Sequence, residues 1–420
     1  MAPRRKKSIF IRWKDFTPAK KQRYIRVYAA RALVVLAGIL LLVLLIKGIS
    51  ALAGKLFGTK EEPEQITVTE TQEVSESTES AEQTTVQTLT ITAAGDCVLA
   101  NKDGAKKSGS FEKYYEDYGE EYFFDSIRGV LESDDITLVN LECTFTTQTT
   151  AEGDGDTYRS DPSHVGILTS SSINAVTLGN DHTMDYGTQG LEDTQAALTE
   201  AGITWAGGSD YGYYQTQTGL VVGIVSADLT ADADAGEQQL LSGIETLSSQ
   251  ANLVVACCHW GKTESYRTKN SQKELAHKLV DAGADLVIGT HPQVLQGVEL
   301  YQGKVICYSL GNFCFGGSKD VEDMNTMMFR QTFTFVNGEV TDDLDAMIIP
   351  ARISSQTGMN DYQTAVAVTH REEIIEAVNG YCQDLGNVSF DNLGYLLVDG
   401  QSTTERSSEE ATGEEAAAEN

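Results

Sequence analysis

Short apolar runs that stop at small polar or charged residues recur six times along this chain. Thr88–Ala94 leads into Gly95-Asp96, Ile136–Val139 into Asn140-Leu141-Glu142, and Ala175–Leu178 into Gly179-Asn180-Asp181-His182. Further on, Leu253–Cys258 leads into His259-Trp260-Gly261, Asp285–Ile288 into Gly289-Thr290-His291-Pro292, and Val305–Tyr308 into Ser309-Leu310-Gly311-Asn312. Runs this short and this apolar read as strands buried on both faces. Helical patterns fall between some of them. Ser271 and Glu274 form an S-x-x-E capping box ahead of Leu275, Ala276, Leu279 and Val280, with Gly283 placed to close that helix. Thr188–Ala201 sets Leu191, Leu198 and Ala201 on one side and stops at Gly202. Strand and helix in alternation predict an α/β fold, and in such sheets ligands bind beyond the carboxyl ends of the strands, where all six polar groups lie.

The pattern changes at both ends of the chain. Ala32–Ile46 contains no charge and no proline, and apolar character resumes after Lys47 as far as Phe57. Residues 32–57 are therefore expected to form a transmembrane signal anchor, since a bilayer core takes about 20 helical residues and lysines can snorkel at its edge. The first 31 residues carry eleven Lys or Arg against the single acid Asp15, which predicts a cytoplasmic N-terminus and an extracellular main domain. Cleavage after Ala51-Leu52-Ala53 is the rival reading of this segment. Residues 58–87, rich in Thr, Glu, Ser and Gln, read as a disordered acidic stalk, and 401–420 as a similar tail. Residues 88–400 are left as the folded domain.

The formal charge of −30, despite the basic preface, makes nucleic acid a poor partner, because phosphate binding needs clustered cations. Seven cysteines without a C-x-x-C pair argue against a disulfide framework and against a cysteine zinc site, so they are expected as buried core thiols.

Asp96, Glu142, Asp181, His259 and His291 are carboxylates and imidazoles, the donor types that hold two divalent ions such as Mn, Zn or Fe. His182, beside them and not needed as a ligand, is expected as the catalytic proton donor. Arg159 is expected either to meet an anionic substrate or to form a structural ion pair. His164, His277 and His370 have no partner cluster in the sequence and are expected at the surface.

The ordered set Gly95-Asp96, Asn140-Leu141-Glu142, Asn180-Asp181-His182 with Asp185-Tyr186-Gly187, His259-Trp260-Gly261, His291-Pro292 and Tyr308-Ser309-Leu310-Gly311-Asn312-Phe313 closely resembles the CapA family. These are poly-gamma-glutamate capsule biosynthesis proteins of the calcineurin-like metallophosphatase superfamily. The resemblance implies a four-layer α/β/β/α sandwich with a dinuclear metal site. It implies Asp96, Glu142, Asp181, His259, His291 and Gln293 as metal positions and His182 as the catalytic residue; Asn180, beside them, is expected at the substrate. Two departures stand out: Asp181 occupies a position where the superfamily has a metal-binding Asn, and Gln293 one where His is common. Gln offers a weaker, neutral carbonyl donor. The family's acid after His-Trp-Gly is displaced onto Glu264. The implied activity is metal-dependent hydrolysis of a phosphoester or amide. The alternative is a non-catalytic scaffold or export factor. Its expected partners are the membrane, an anionic polymer such as poly-gamma-glutamate, and membrane capsule-synthase subunits.

Overall fold

The computed structural model describes residues 84–152 and 155–403. The expected anchor at 32–57 lies outside the described residues, as do most of the stalk and of the acidic tail. Among the described residues no helix is long and apolar enough to cross a membrane.

All six apolar runs are strands. In chain order the main strands are β1 (Val86–Val98), β2 (Ile136–Leu141), β3 (Ala175–Thr177), β4 (Thr204–Ala206), β5 (Gly212–Gln215), β6 (Val221–Asp228) and β7 (Leu253–His259). There follow β8 (Leu286–Thr290), β9 (Val298–Tyr301), β10 (Lys304–Cys307), β11 (Asn312–Phe315), β12 (Asn325–Val336), β13 (Asp345–Arg352) and β14 (Ala365–Val366). They build two large mixed sheets. One has the order β14-β13-β12-β1-β2-β3-β4, with β11 also paired to β1; the other has the order β9-β10-β8-β7-β6-β5. The inner strands β1, β2 and β3 of the first sheet, and β6, β7, β8 and β10 of the second, run parallel to their neighbours in this series.

The burial explains why these runs lack alternation in sequence. All seven residues of β7 and all six of β2 are buried, because each sheet is covered on both faces. Leu89, Ile91 and Leu138 from one sheet share a core with Ile224, Val255 and Ile288 from the other. The intervening residues face outward: Val139 and Val176 pack with Phe123, Phe124 and Leu198, whereas Val254 and Ala256 pack with Leu240, Ile244 and Leu279. Helices therefore cover the outer side of each sheet, chiefly α1 (Phe111–Tyr118) and α2 (Gly187–Glu200) on the first and α3 (Ala233–Leu247) and α4 (Asn270–Asp281) on the second.

Several local expectations shift. Helix α4 starts one residue before Ser271, and the reciprocal contact is made by Gln272, whose Oε1 accepts from the Lys269 backbone N–H at 2.9 Å. Gln272 wins because it is buried and also bonds Gln296, so its side chain is drawn inward while Ser271 stays exposed. Gly283 does close the helix, at φ 111°. Pairing in β1 begins at Val86, inside the segment read as stalk, and Gln401–Ser402 form a short strand inside the segment read as tail.

His164, expected at the surface, is 1% exposed; its ring packs 3.9 Å from that of Tyr115, and Nε2 lies 3.5 Å from Glu112 Oε2. His277 is half-buried, stacked on Tyr301 with Nε2 2.9 Å from Glu299 Oε1. His370 is also half-buried, with Nδ1 3.0 Å from Thr369 Oγ1. The seven cysteines are all buried free thiols, as expected.

Candidate metal centre

The carboxyl ends of the two sheets present two polar rows set by strand register. In the first sheet Asn312, Asp96, Asn140 and Thr177 are consecutive cross-strand partners on β11, β1, β2 and β3. In the second, Asp228, His259 and Thr290 are partners on β6, β7 and β8. The rows meet: Asn140 Nδ2 lies 3.5 Å from His259 Nδ1, and Asp96 Oδ2 accepts from the backbone N–H of His291 at 3.2 Å. Residues far apart in sequence thus converge because neighbouring parallel strands end at one edge.

The close approach needs glycine at one point. A Cβ on Gly95 would sit 1.8 Å from the Gly311 carbonyl oxygen, whose backbone accepts from the Asp96 N–H. The segment from Tyr308 to Gly311 leaves β10 of the second sheet and delivers Asn312 to β11 of the first, with Gly311 at φ 75°.

Six of the expected residues come together. His259 Nε2 lies 3.0 Å from Asp181 Oδ1, 3.1 Å from His291 Nδ1 and 3.8 Å from Glu142 Oε1. Two overlapping groups have ligand atoms within one ion's reach: Asp181, His259 and His291 form one, and Glu142, Asp181 and His182 the other. Asp181 belongs to both. Asp96 is fully buried beneath them and accepts from Asn140 Nδ2 at 2.8 Å.

His182 is oriented by Asp185, whose Oδ2 lies 3.0 Å from Nδ1 and also accepts from the Tyr158 backbone N–H at 2.8 Å. The Tyr158 ring meets the imidazole edge-on at 4.6 Å. His182 Nε2 faces the acidic cluster, 3.9 Å from Asp181 Oδ1. Asn180 is turned into the fold and not toward a ligand: its Nδ2 donates to Asn140 Oδ1 and Leu141 O, and its Oδ1 accepts from the His182 N–H and the Thr183 hydroxyl. It positions the loop. Arg159 lies over the Tyr186 ring at 5.6 Å, with a buried Nε that has no partner and no ion pair among the described residues. Gln293 is brought near by its backbone, whose carbonyl accepts from Asn312 Nδ2 at 3.3 Å.

The electrostatics are those of a site that concentrates negative charge. Burial pushes the Glu142 carboxyl well above its ordinary range, and the charges of Asp96, Asp181, Asp185 and Asp228 add to the effect. Burial raises Asp96 too. Burial alone would raise Asp181, but the hydrogen bond and charge of His259 outweigh it and hold that carboxyl low. His291 is pulled down to about 4 by burial and then by His259. In His182 the burial that would lower the imidazole is outweighed by the bond to Asp185, so its pKa is raised.

This donor set fits divalent cations. Glu142 Oε2 and Asn312 Oδ1 are buried oxygens without a hydrogen-bond partner, a costly state that a cation relieves. Three non-glycine residues of the adjoining loops, Glu264, His291 and Gln293, have φ between 60° and 88°, the kind of backbone cost that accumulates at functional sites. The residues with no expected role are Asp185, Asn140, Asp228, Thr290 and Asn312. Of these, Asn140, Thr290 and Asn312 were signalled by their places at the ends of the second, fifth and sixth runs, and Asp185 by its motif; Asp228 depends on register.

Fold and site together define a two-sheet α/β protein with a partly buried cluster of carboxylates and imidazoles that could hold a metal ion. The chain belongs to the bacterial capsule synthesis protein PGA_cap family, whose model matches residues 90–317. It is 27% identical over 249 residues to the PGA biosynthesis protein CapA of Bacillus subtilis (strain 168), covering 53% of this chain and 65% of that protein. It is 26% identical over 258 residues to the capsule biosynthesis protein CapA of Bacillus anthracis, covering 54% and 60%. A probable polyglutamine synthesis accessory protein of Mycobacterium tuberculosis is 28% identical over 255 residues, covering 52% and 66%. In each case the chain spans less than two thirds of the relative's length.

Proposed function

We propose that this protein is a membrane-anchored, extracytoplasmic metal-dependent hydrolase of the calcineurin-like metallophosphatase type, acting in the biosynthesis or export of poly-gamma-glutamate. The observation that carries the reading is the sharing of Asp181 between two ligand groups, beside a Glu142 oxygen that is buried and unpartnered. A carboxylate common to both groups is what a pair of dications needs to sit together against their mutual repulsion. Asp181, His259 and His291 would hold one ion, and Asp181 with Glu142 the other, with His182 beside it. Bound ions supply Lewis-acid charge to a phosphoryl or acyl oxygen and make hydroxide available at neutral pH.

The chain's own residues do the rest. Asp185 fixes the His182 tautomer through Nδ1, leaving Nε2 turned toward the cluster, where it can pass a proton to a leaving group. Asn180 and Thr183 hold the loop that carries Asp181 and His182. Arg159, whose Nε has no hydrogen-bond partner among the described residues, is offered to an anionic substrate group. The polymer assignment rests on what the relatives' names say of them, and the membrane assignment on residues 32–57.

The test is metal analysis and turnover by the purified full-length chain, supplied with Mn, Zn or Fe and offered phosphodiester, phosphomonoester and γ-glutamyl substrates. Two metal equivalents with turnover abolished in His182→Ala support the reading. Bound metal with no turnover of any of the three favours the scaffold reading, which the accessory role named for the mycobacterial relative and the neutral Gln293 both suit.

A further inference from the structure

One cleft of about 580 Å³ lies outside the metal cluster and carries the opposite charge to the chain as a whole. Arg267, Lys269 and Lys273 line it against a single acid, Asp384. None of the three cations is neutralised in a buried pair. Lys269 Nζ donates to the Gly261 carbonyl and Lys273 Nζ to the Asp384 backbone carbonyl, while the Arg267–Asp384 pair at 3.1 Å is exposed on both sides. The cleft is also lined by Asn270 at the start of α4, the positive end of the helix dipole, and by Thr268, whose hydroxyl oxygen has no hydrogen-bond partner among the described residues. Tyr266 and Tyr381 form a wall, their rings 5.7 Å apart.

Its position matters as much as its charge. The loop running from His259 into the cleft is tied to the loop of His291: the Glu264 N–H donates to the Pro292 carbonyl, and Gln296 Nε2 donates to the carbonyls of Ser265 and Arg267. Lys269 reaches back to Gly261, two residues from His259. A ligand held in the cleft therefore rests on the loop that leaves His259, which is hydrogen-bonded to the loop of His291.

We propose that this cleft is an anion exosite that holds a carboxylate-bearing oligomer, of the poly-gamma-glutamate kind, alongside the metal centre; the choice of polymer rests on the function proposed above. Separate cations along a groove suit a ligand with repeated single charges, and an otherwise acidic surface repels such a ligand elsewhere. The cleft thereby selects where along the protein a polyanion lies.

The experiment is binding of a fluorescent γ-linked octaglutamate to the full-length chain in detergent, at low and high salt. The Arg267→Gln, Lys269→Gln double variant is expected to weaken binding roughly tenfold at low salt, and Asp384→Asn to strengthen it about two- to fivefold. The gain in Asp384→Asn cannot come from misfolding, so it guards the result against a damaged double variant. No binding by the wild type, an unchanged affinity in the double variant, or displacement by inorganic phosphate at equal charge concentration overturns the proposal. Wild-type turnover of a chromogenic phosphodiester is read in parallel. Absent turnover with this affinity pattern intact counts against the hydrolase alone, and the pattern lost with turnover intact counts against the cleft alone.

Discussion

Asp185 Oδ2 and His182 Nδ1 lie 3.0 Å apart, and the same oxygen is pinned by the Tyr158 backbone N–H. The carboxylate therefore cannot rotate freely, and the imidazole it holds has one orientation. Replacing Asp185 by Asn keeps the shape and removes the charge that favours the proton on Nδ1. Turnover is expected to fall about 10- to 100-fold, the usual cost of losing an outer partner of a site histidine. His182→Ala should cost more, roughly 100- to 10,000-fold if proton transfer is its role. Steady-state kinetics on one small phosphodiester compare the two; equal rates in Asp185→Asn and wild type would remove Asp185 from the mechanism.

Asp181 is shared by both ligand groups, whereas His291 belongs to one. Asp181→Ala is accordingly expected to strip both ions and His291→Ala only one, as read by elemental analysis after gel filtration. If both variants keep two equivalents, these residues are not the ligands.

Gln293 stands beside the site with φ 61°, a backbone region that His also tolerates. Gln293→His is expected to strengthen retention of a zinc-like ion about tenfold or more, since imidazole is the better donor. Competition with a chromogenic chelator measures it. An unchanged affinity would mean that residue 293 does not reach the ion.

Much of this architecture was legible because chemistry and strand ends coincide in the sequence. An apolar run that stops at Asp96, Glu142 or His259 announces both a strand and the place where its side chains emerge, and all six such runs are strands. What stayed hidden depends on register or on tertiary burial. Nothing local says that Asn140 falls opposite Asp96, or that Asp228 and Thr290 flank His259. His164 sits among polar neighbours in sequence yet is buried, because Tyr115 and Phe111 arrive from a helix some fifty residues earlier. Ser271 looked like a cap, but the burial of Gln272 moved the helix start. That the sixth run delivers Asn312 to the other sheet could be known only from the crossing at Gly311.

The cross-strand row also makes a stability prediction. A methyl group on Gly95 would collide with the Gly311 carbonyl, a backbone atom that cannot swing aside. Gly95→Ala is expected to destabilise the fold by roughly 3 kcal/mol or more, as backbone overpacking does. The midpoint of urea unfolding should fall while its slope is unchanged. A variant as stable as wild type would show that β1 and β11 do not approach this closely.

The last prediction concerns pH and a residue away from the metal centre. Burial lowers the His164 pKa from its ordinary value, and the nearby carboxylates Glu112 and Asp161 offset only part of that effect. The ring is enclosed by Phe111 and Tyr115, and Nδ1 has no partner. With the folded pKa below the unfolded value of about 6.5, the unfolded chain binds the proton more readily. His164 thus favours the fold fully above pH 6.5, and this contribution is lost as pH falls from there toward the folded pKa. His164→Phe fills the same space without titrating, so its thermal midpoint should fall less than that of wild type between pH 7 and pH 5. Parallel curves for the two proteins over that interval would show that His164 is as easily protonated folded as unfolded.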